Sequence, residues 1–156
     1  MAQDIQSKIV VVGAGTAGLT MAAQLLRKAP YLRGEVTIID PSENHYYQPF
    51  FTLVGGGVAT LEESVRKQET LIPEGAEWLQ EAVTEFSPEE NQVKTDKGTI
   101  LTYEYLLVAA GIQLNWDKVK GLKETLGKNG VCSNYSEHYV ESTWEAIRTL
   151  KGGKAI

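Results

Sequence analysis

The sequence predicts an α/β fold of three layers, with a parallel sheet and an antiparallel β-meander as a crossover. Three observations carry that expectation. β-branched apolar runs stop abruptly at Gly13 and at Asp40-Pro41, as buried parallel strands do. A stretch of helical periodicity separates those two runs. Three short strand-like segments, punctuated by turn residues, then precede a further apolar run.

The elements follow in order. Lys8-Ile9-Val10-Val11-Val12 predicts a strand ending at Gly13. Residues 16–29 carry Leu19, Ala22, Ala23 and Leu26 at helical spacing among good helix formers, so an amphipathic helix is expected. Pro30 ends it, and Gly34 adds a turn. Residues 35–39 predict the second strand. Strand, helix and strand fit within about 33 residues, the size of a right-handed βαβ unit. Residues 41–60 read as one long connection, with Tyr46, Tyr47, Phe50, Phe51 and Gly55-Gly56-Gly57. Long ordered connections in compact domains are usually functional. Residues 77–86, 91–95 and 99–102 predict three antiparallel strands, with turns at Ser87-Pro88-Glu89-Glu90-Asn91 and Asp96-Lys97-Gly98. Residues 105–109 predict another buried strand, ending at Gly111. Val140, Trp144, Ile147 and Leu150 then form one helical stripe, capped by Gly152-Gly153.

Composition narrows the function classes. Hydrophobic residues at 42% and charged residues at 22% are enough for a packed core and exclude wholesale disorder. The net charge of −5 argues against nonspecific binding of nucleic acid or anionic lipid. No apolar run approaches the ~20 residues of a membrane span. The N-terminus shows no secretory signal, so a cytoplasmic or peripheral-membrane location is expected. The single cysteine, Cys132, excludes an internal disulfide and a cysteine-rich metal site. With only His45 and His138 as histidines, no metal site is expected.

The chemistry rests on Gly13-Ala14-Gly15-Thr16-Ala17-Gly18, a GxGxxG between a strand and a helix. Gly13 allows the tight turn, Gly15 lets the backbone approach a pyrophosphate, and Gly18 lets helix and strand pack closely. The helix that Thr16 opens offers free N–H groups and a partial positive charge, which suit a diphosphate. Asp40 ends the second strand, 22 residues beyond Gly18. Its carboxylate can accept from both ribose hydroxyls and would repel a 2′-phosphate. The constellation therefore favours an ADP-containing ligand such as FAD or NAD, and a Rossmann-like dinucleotide-binding fold.

Further segments carry a family resemblance. Tyr103-Glu104-Tyr105-Leu106-Leu107-Val108-Ala109-Ala110-Gly111 resembles the second flavin-binding signature of the two-dinucleotide-domain flavoproteins, with Ala110 where threonine is usual. The stretch Asp40-Pro41-Ser42-Glu43-Asn44-His45-Tyr46-Tyr47-Gln48-Pro49-Phe50-Phe51, continuing to Gly57, resembles the sulfide:quinone oxidoreductase family, mitochondrial-type branch. Ile112-Gln113-Leu114-Asn115 and Ser133-Asn134-Tyr135-Ser136 fit the same branch.

That resemblance implies FAD as cofactor, and sulfide and a quinone as partners of the full-length protein. It implies that Ala110 and Gly111 return under the pyrophosphate, that Gln48 offers its amide beside the isoalloxazine, and that backbone groups at Val83 hold adenine. It also implies that 1–156 is the N-terminal FAD-binding part of a longer chain, to which the catalytic cysteines, the second dinucleotide domain and the membrane-contacting region belong. Lys154-Ala155-Ile156 reads as the approach to a further strand. No catalytic residue is expected here, and the part alone is expected to be inactive.

Two other readings stay open: another flavoprotein such as a non-pumping NADH:quinone oxidoreductase, and a non-catalytic nucleotide-binding domain. Cys132 reads as a small structural thiol, His45 as a solvated loop residue with a place along the flavin loop as the alternative, His138 as the start of an exposed helix and Trp144 as core. Glu62-Glu63 and Glu89-Glu90 read as solvated. Apolar surface around Phe50, Phe51 and Leu53 is expected to be exposed, which leaves a homo-oligomer open.

Overall fold

The computed structural model describes residues 3–154 and Ile156. Met1 and Ala2 of the N-terminal reading, and Ala155 of the final apolar pair, lie outside the described residues.

Strand β1 (Asp4–Val12) leads through the glycine loop into helix α1 (Thr16–Lys28) and strand β2 (Val36–Ile39). Strand β3 (Asn44–Tyr46), the short helix α2 (Phe51–Gly55) and strand β4 (Val65–Lys67) follow. Strands β5 (Ala76–Leu79), β6 (Val83–Ser87), β7 (Gln92–Thr95) and β8 (Ile100–Val108) come next. Helices α3 (Leu122–Thr125) and α4 (Val140–Thr149) close the order.

The chain divides into two compact units. The first comprises residues up to His45 together with Arg66–Ile112. It is built on a six-stranded sheet of order β5-β2-β1-β8-β7-β6. β5, β2, β1 and β8 run parallel to one another, and β7 is antiparallel to both β8 and β6. This mixed sheet, with α1 on one face, is the expected Rossmann-like α/β arrangement with an antiparallel meander. β1 is central, so both of its faces are covered, which is why it reads as an unbroken run of valines and isoleucine. Ile9 and Val11 pack with Ala22 and Leu26 of α1 and with Val36 and Ile38 of β2. Val10 and Val12 point the other way, towards Ile39, Val93, Leu101 and Tyr103. Full burial of each such side chain contributes about 1.5–3 kcal/mol.

Several sequence expectations change here. Residues 77–86 are not one strand. The chain breaks at 80–82, and β5 lies parallel beside β2, pairing Val36 with Ala76 through to Ile39 with Leu79. The break is fixed by bonds made across the structure: the Asp40 N–H donates to the Leu79 carbonyl, and the Ala82 N–H donates to Asp96 Oδ1. The segments 99–102 and 105–109 are one strand, because β8 pairs with β1 from Asp4–Ile100 to Val12–Val108. Its C-terminal half is not buried as expected. Tyr105 is 64% exposed and Val108 56% exposed.

The second unit comprises Tyr46–Val65 and the residues from Gln113 onward. The expected long connection is partly regular. Gln48–Phe50 forms a 3-10 turn that runs into α2. Phe51 and Val54, one helical turn apart, are buried against Val140 of α4, with Tyr46, Phe50, Ala59 and Leu61 around them. Phe51 is therefore core, whereas Leu53 is exposed as expected. Of the α4 stripe only Val140 is buried. Trp144, Ile147 and Leu150 are exposed, so Trp144 is not core, although its indole lies against Gly57. Helix α4 ends at Thr149, with Leu150 rather than Gly152-Gly153 as its C-cap. Cys132 is exposed, which removes its reading as a packed structural thiol. His138 is exposed just before α4, and Glu62, Glu63, Glu89 and Glu90 are exposed, all as expected. Among the described residues no helix is long and apolar enough to cross a membrane.

Candidate functional site

The glycine loop follows the carboxyl end of β1, where ligands of open α/β sheets bind. Its three glycines have different reasons. Gly13 has φ +101°, and a Cβ there would run into the carbonyl of Ala109. Gly18 faces Gly13 so closely that a Cβ would overlap the Gly13 carbonyl and touch Val11 Cγ1 at 3.2 Å. Both are required by the chain itself.

Gly15 is not. It has φ −71° and ψ −174°, an extended conformation open to any residue, and a Cβ there would meet nothing within 4 Å. The folded chain supplies no steric reason for glycine at this position. A ligand drawn up to the backbone would, because a side chain would fill the space it needs.

Helix α1 begins there. No side chain caps its N-terminus, and its first turn holds no acid, while Arg27 and Lys28 sit in its last turn. Its opening N–H groups are thus left without helical partners, at the positive end of the dipole. This is the donor set an anion such as a diphosphate takes.

Asp40, half-buried after β2, accepts the Ala14 N–H on Oδ2 at 2.7 Å and the Ser42 N–H on Oδ1 at 2.8 Å. A carboxylate has about four acceptor positions, so about two remain for ribose hydroxyls. The Trp78 indole N–H donates to the Asp40 carbonyl at 3.0 Å and fixes the backbone there. Val83 opens the edge strand β6 and packs against the cluster containing Val12 and Ile39, the residues that precede Gly13 and Asp40. The outer edge of β6 has no strand partner among the described residues. The entry to β6 is held by Thr95 Oγ1 donating to the buried carboxylate of Glu81, and by the Asp96 N–H donating to the Ala82 carbonyl at 2.8 Å. Ala110 lies against Gly13: a Cβ on that glycine would stand 3.1 Å from the Ala110 Cα. Gly111 has φ +74° and is exposed.

Gly13, Gly15, Thr16, Gly18, Asp40, Val83, Ala110 and Gly111 thus all belong to the first unit. Gln48 belongs to the second, where it starts the 3-10 turn and is exposed. Of three further side chains here, sequence reasoning missed two and favoured the solvated reading for His45. Gln68, buried after β4, donates from Nε2 to the Ala14 carbonyl at 3.1 Å. His45, read as solvated, is half-buried with Nδ1 3.2 Å from the same carbonyl oxygen. The third is Trp78. The only signal for it was that a partly buried indole N–H needs an acceptor. Among the described residues no three His, Cys, Asp or Glu side chains gather as a metal site.

These features have counterparts elsewhere. The family described as pyridine nucleotide-disulphide oxidoreductase matches residues 7–143. The mitochondrial sulfide:quinone oxidoreductase of Dictyostelium discoideum is 51% identical over 147 residues, covering 94% of this chain and 32% of that protein. The mitochondrial sulfide:quinone oxidoreductase of Mus musculus is 43% identical over 149 residues, covering 96% of this chain and 33% of that protein. The chain thus spans about a third of the length of these relatives. The solved sulfide:quinone oxidoreductase of Aquifex aeolicus superposes with a TM-score of 0.74 at 22% identity, over 91% of this chain and 32% of that one, a likeness of fold. The chain belongs to the pyridine nucleotide-disulphide oxidoreductase family and resembles the mitochondrial sulfide:quinone oxidoreductases along nearly its whole length.

Proposed function

We propose that this chain is the N-terminal FAD-binding part of a sulfide:quinone oxidoreductase. The observation that carries the reading is Gly15: a glycine with ordinary dihedrals and open space before it, at the uncapped start of α1. The two relatives bearing that enzyme's name support the choice within the family. Bound FAD would supply the two-electron chemistry between sulfide and quinone. This chain binds and orients. The N–H groups at Gly15, Thr16 and Ala17 receive the diphosphate. The remaining lone pairs of Asp40 accept the ribose hydroxyls. The open backbone edge at Val83 recognises adenine. Ala110 and Gly111 bring the end of β8 beneath the diphosphate, and Gln48 offers its amide to the flavin ring.

The residues that carry sulfur belong to the rest of the protein, as does contact with the membrane that holds the quinone. Cys132 takes no part. The test is the purified full-length protein: flavin absorbance, and quinone reduction driven by sulfide. Reduction driven by NADH and not by sulfide would assign it to the NADH:quinone oxidoreductases. Absence of flavin would leave a nucleotide-binding domain.

A further inference from the structure

Ala14 stands between Gly13 and Gly15, and side chains from outside the loop hold its backbone on both sides. Its N–H donates to Asp40 Oδ2 at 2.7 Å. Its carbonyl oxygen accepts from Gln68 Nε2 at 3.1 Å and has His45 Nδ1 at 3.2 Å. A carbonyl can only accept, so the second bond requires the proton on His45 Nδ1. Gln68 is 2% exposed, and its amide reaches back 54 residues to make this bond. A buried amide is costly unless it is bonded. Here the bond goes to a loop peptide and not to a helix or sheet.

The geometry of that peptide gives the bond its consequence. A trans peptide is planar, so the Ala14 carbonyl and the Gly15 N–H point in opposite directions. Holding the carbonyl towards Gln68 and His45 turns the Gly15 N–H the other way. That N–H has no acceptor among the described residues. If the peptide flipped, the Ala14 carbonyl would instead face the ligand, and its partial negative charge would repel a diphosphate. We propose that Gln68 and His45 are positioning residues that lock the Ala14–Gly15 peptide with its N–H towards the ligand's diphosphate. The proposal rests on the reading of the glycine loop as a diphosphate site.

The test uses the full-length protein stripped of flavin. Gln68→Met and His45→Leu remove one donor each at similar size. Each is titrated with FAD and with ADP by fluorescence, and with adenosine, which lacks the diphosphate, by saturation-transfer NMR. A net hydrogen bond of ordinary strength predicts a roughly three- to tenfold loss of FAD and ADP affinity in each variant. Adenosine binding is unchanged. His45→Asn, whose Nδ2 stands one bond from Cγ as Nδ1 does, restores ADP binding. Equal weakening of adenosine, failure of His45→Asn to rescue, or unchanged ADP affinity each overturns the proposal. His45→Leu, at a half-buried site, carries the test if Gln68→Met does not fold. Gly15→Val separates this from the underlying reading. If that variant binds ADP as the wild type does, the loop is not the diphosphate site. If it does not, while Gln68→Met and His45→Leu bind normally, only the positioning role falls.

Discussion

The contrast between Gly15 and Gly18 gives a sharp test, because one methyl group should act on different properties at the two positions. At Gly18 the added Cβ would overlap the Gly13 carbonyl oxygen, a backbone atom that cannot yield unless α1 moves away from β1. Overpacking of this kind costs about 1–3 kcal/mol or more. At Gly15 the same methyl meets nothing within 4 Å, and the dihedrals of −71° and −174° suit alanine. The loss there is at most that of a poorer helix N-cap, about 1 kcal/mol. The bound state reverses the order. On the proposed reading, a methyl on Gly15 would stand where the diphosphate approaches and would disrupt a charged hydrogen bond, worth about 1.5–3 kcal/mol, or roughly ten- to a hundredfold in affinity. In full-length apoprotein, urea unfolding should therefore place Gly15→Ala near the wild type and Gly18→Ala clearly below it. FAD titration should show Gly15→Ala binding at least tenfold more weakly. A Gly15→Ala protein with wild-type FAD affinity would refute the reasoning, as would a Gly18→Ala protein of wild-type stability.

Asp40→Asn should weaken FAD retention nearly as much as Asp40→Ala, roughly tenfold or more. Its NH₂ must face the N–H of either Ala14 or Ser42, both of which now donate to the carboxylate; flavin content after dialysis is the measurement, and full retention in either variant would count against the assignment. Thr95→Val should destabilise the apoprotein by about 1–3 kcal/mol in urea. It leaves the buried Glu81 carboxylate and the Thr99 N–H, which both bond Thr95 Oγ1, without that partner. Cys132→Ser, at an exposed position, should leave sulfide-dependent quinone reduction within a few-fold of wild type; a loss near a thousandfold would place the thiol in the reaction.

The first βαβ unit was legible because its signals are local. β1 is covered on both faces and so reads as an unbroken apolar run, the glycines mark the turn, and α1 carries its buried stripe at helical spacing. The sheet's outer strands were not legible in the same way. β5 and β6 are apolar enough to read as one strand across 77–86, and only bonds from Asp40 and Asp96, distant in sequence, break them apart. β8 continues through Tyr103-Glu104 because β1 pairs with it along its length. A strand's extent is set by its neighbour, and one sequence does not contain that information at the strand itself.

The candidate site divides along the same line. Residues whose role is conformational or terminal, such as Gly13, Gly18 and Asp40, leave a spacing signature, since the turn and the strand end fix where they must stand. Residues that hold the loop from outside leave none. Gln68 follows a three-residue strand and begins a short 3-10 turn, and nothing about a lone glutamine after Val65-Arg66-Lys67 marks it for burial. What places it is the Gln68 N–H donating to the Glu43 carbonyl at 2.9 Å. That bond anchors the start of the turn to the segment carrying His45, and so brings both donors to one carbonyl. The spacing marks the atoms proposed to face a ligand. The side chains that keep those atoms facing it are chosen by tertiary contact, and they become visible only when the buried polar groups are traced to their partners one by one.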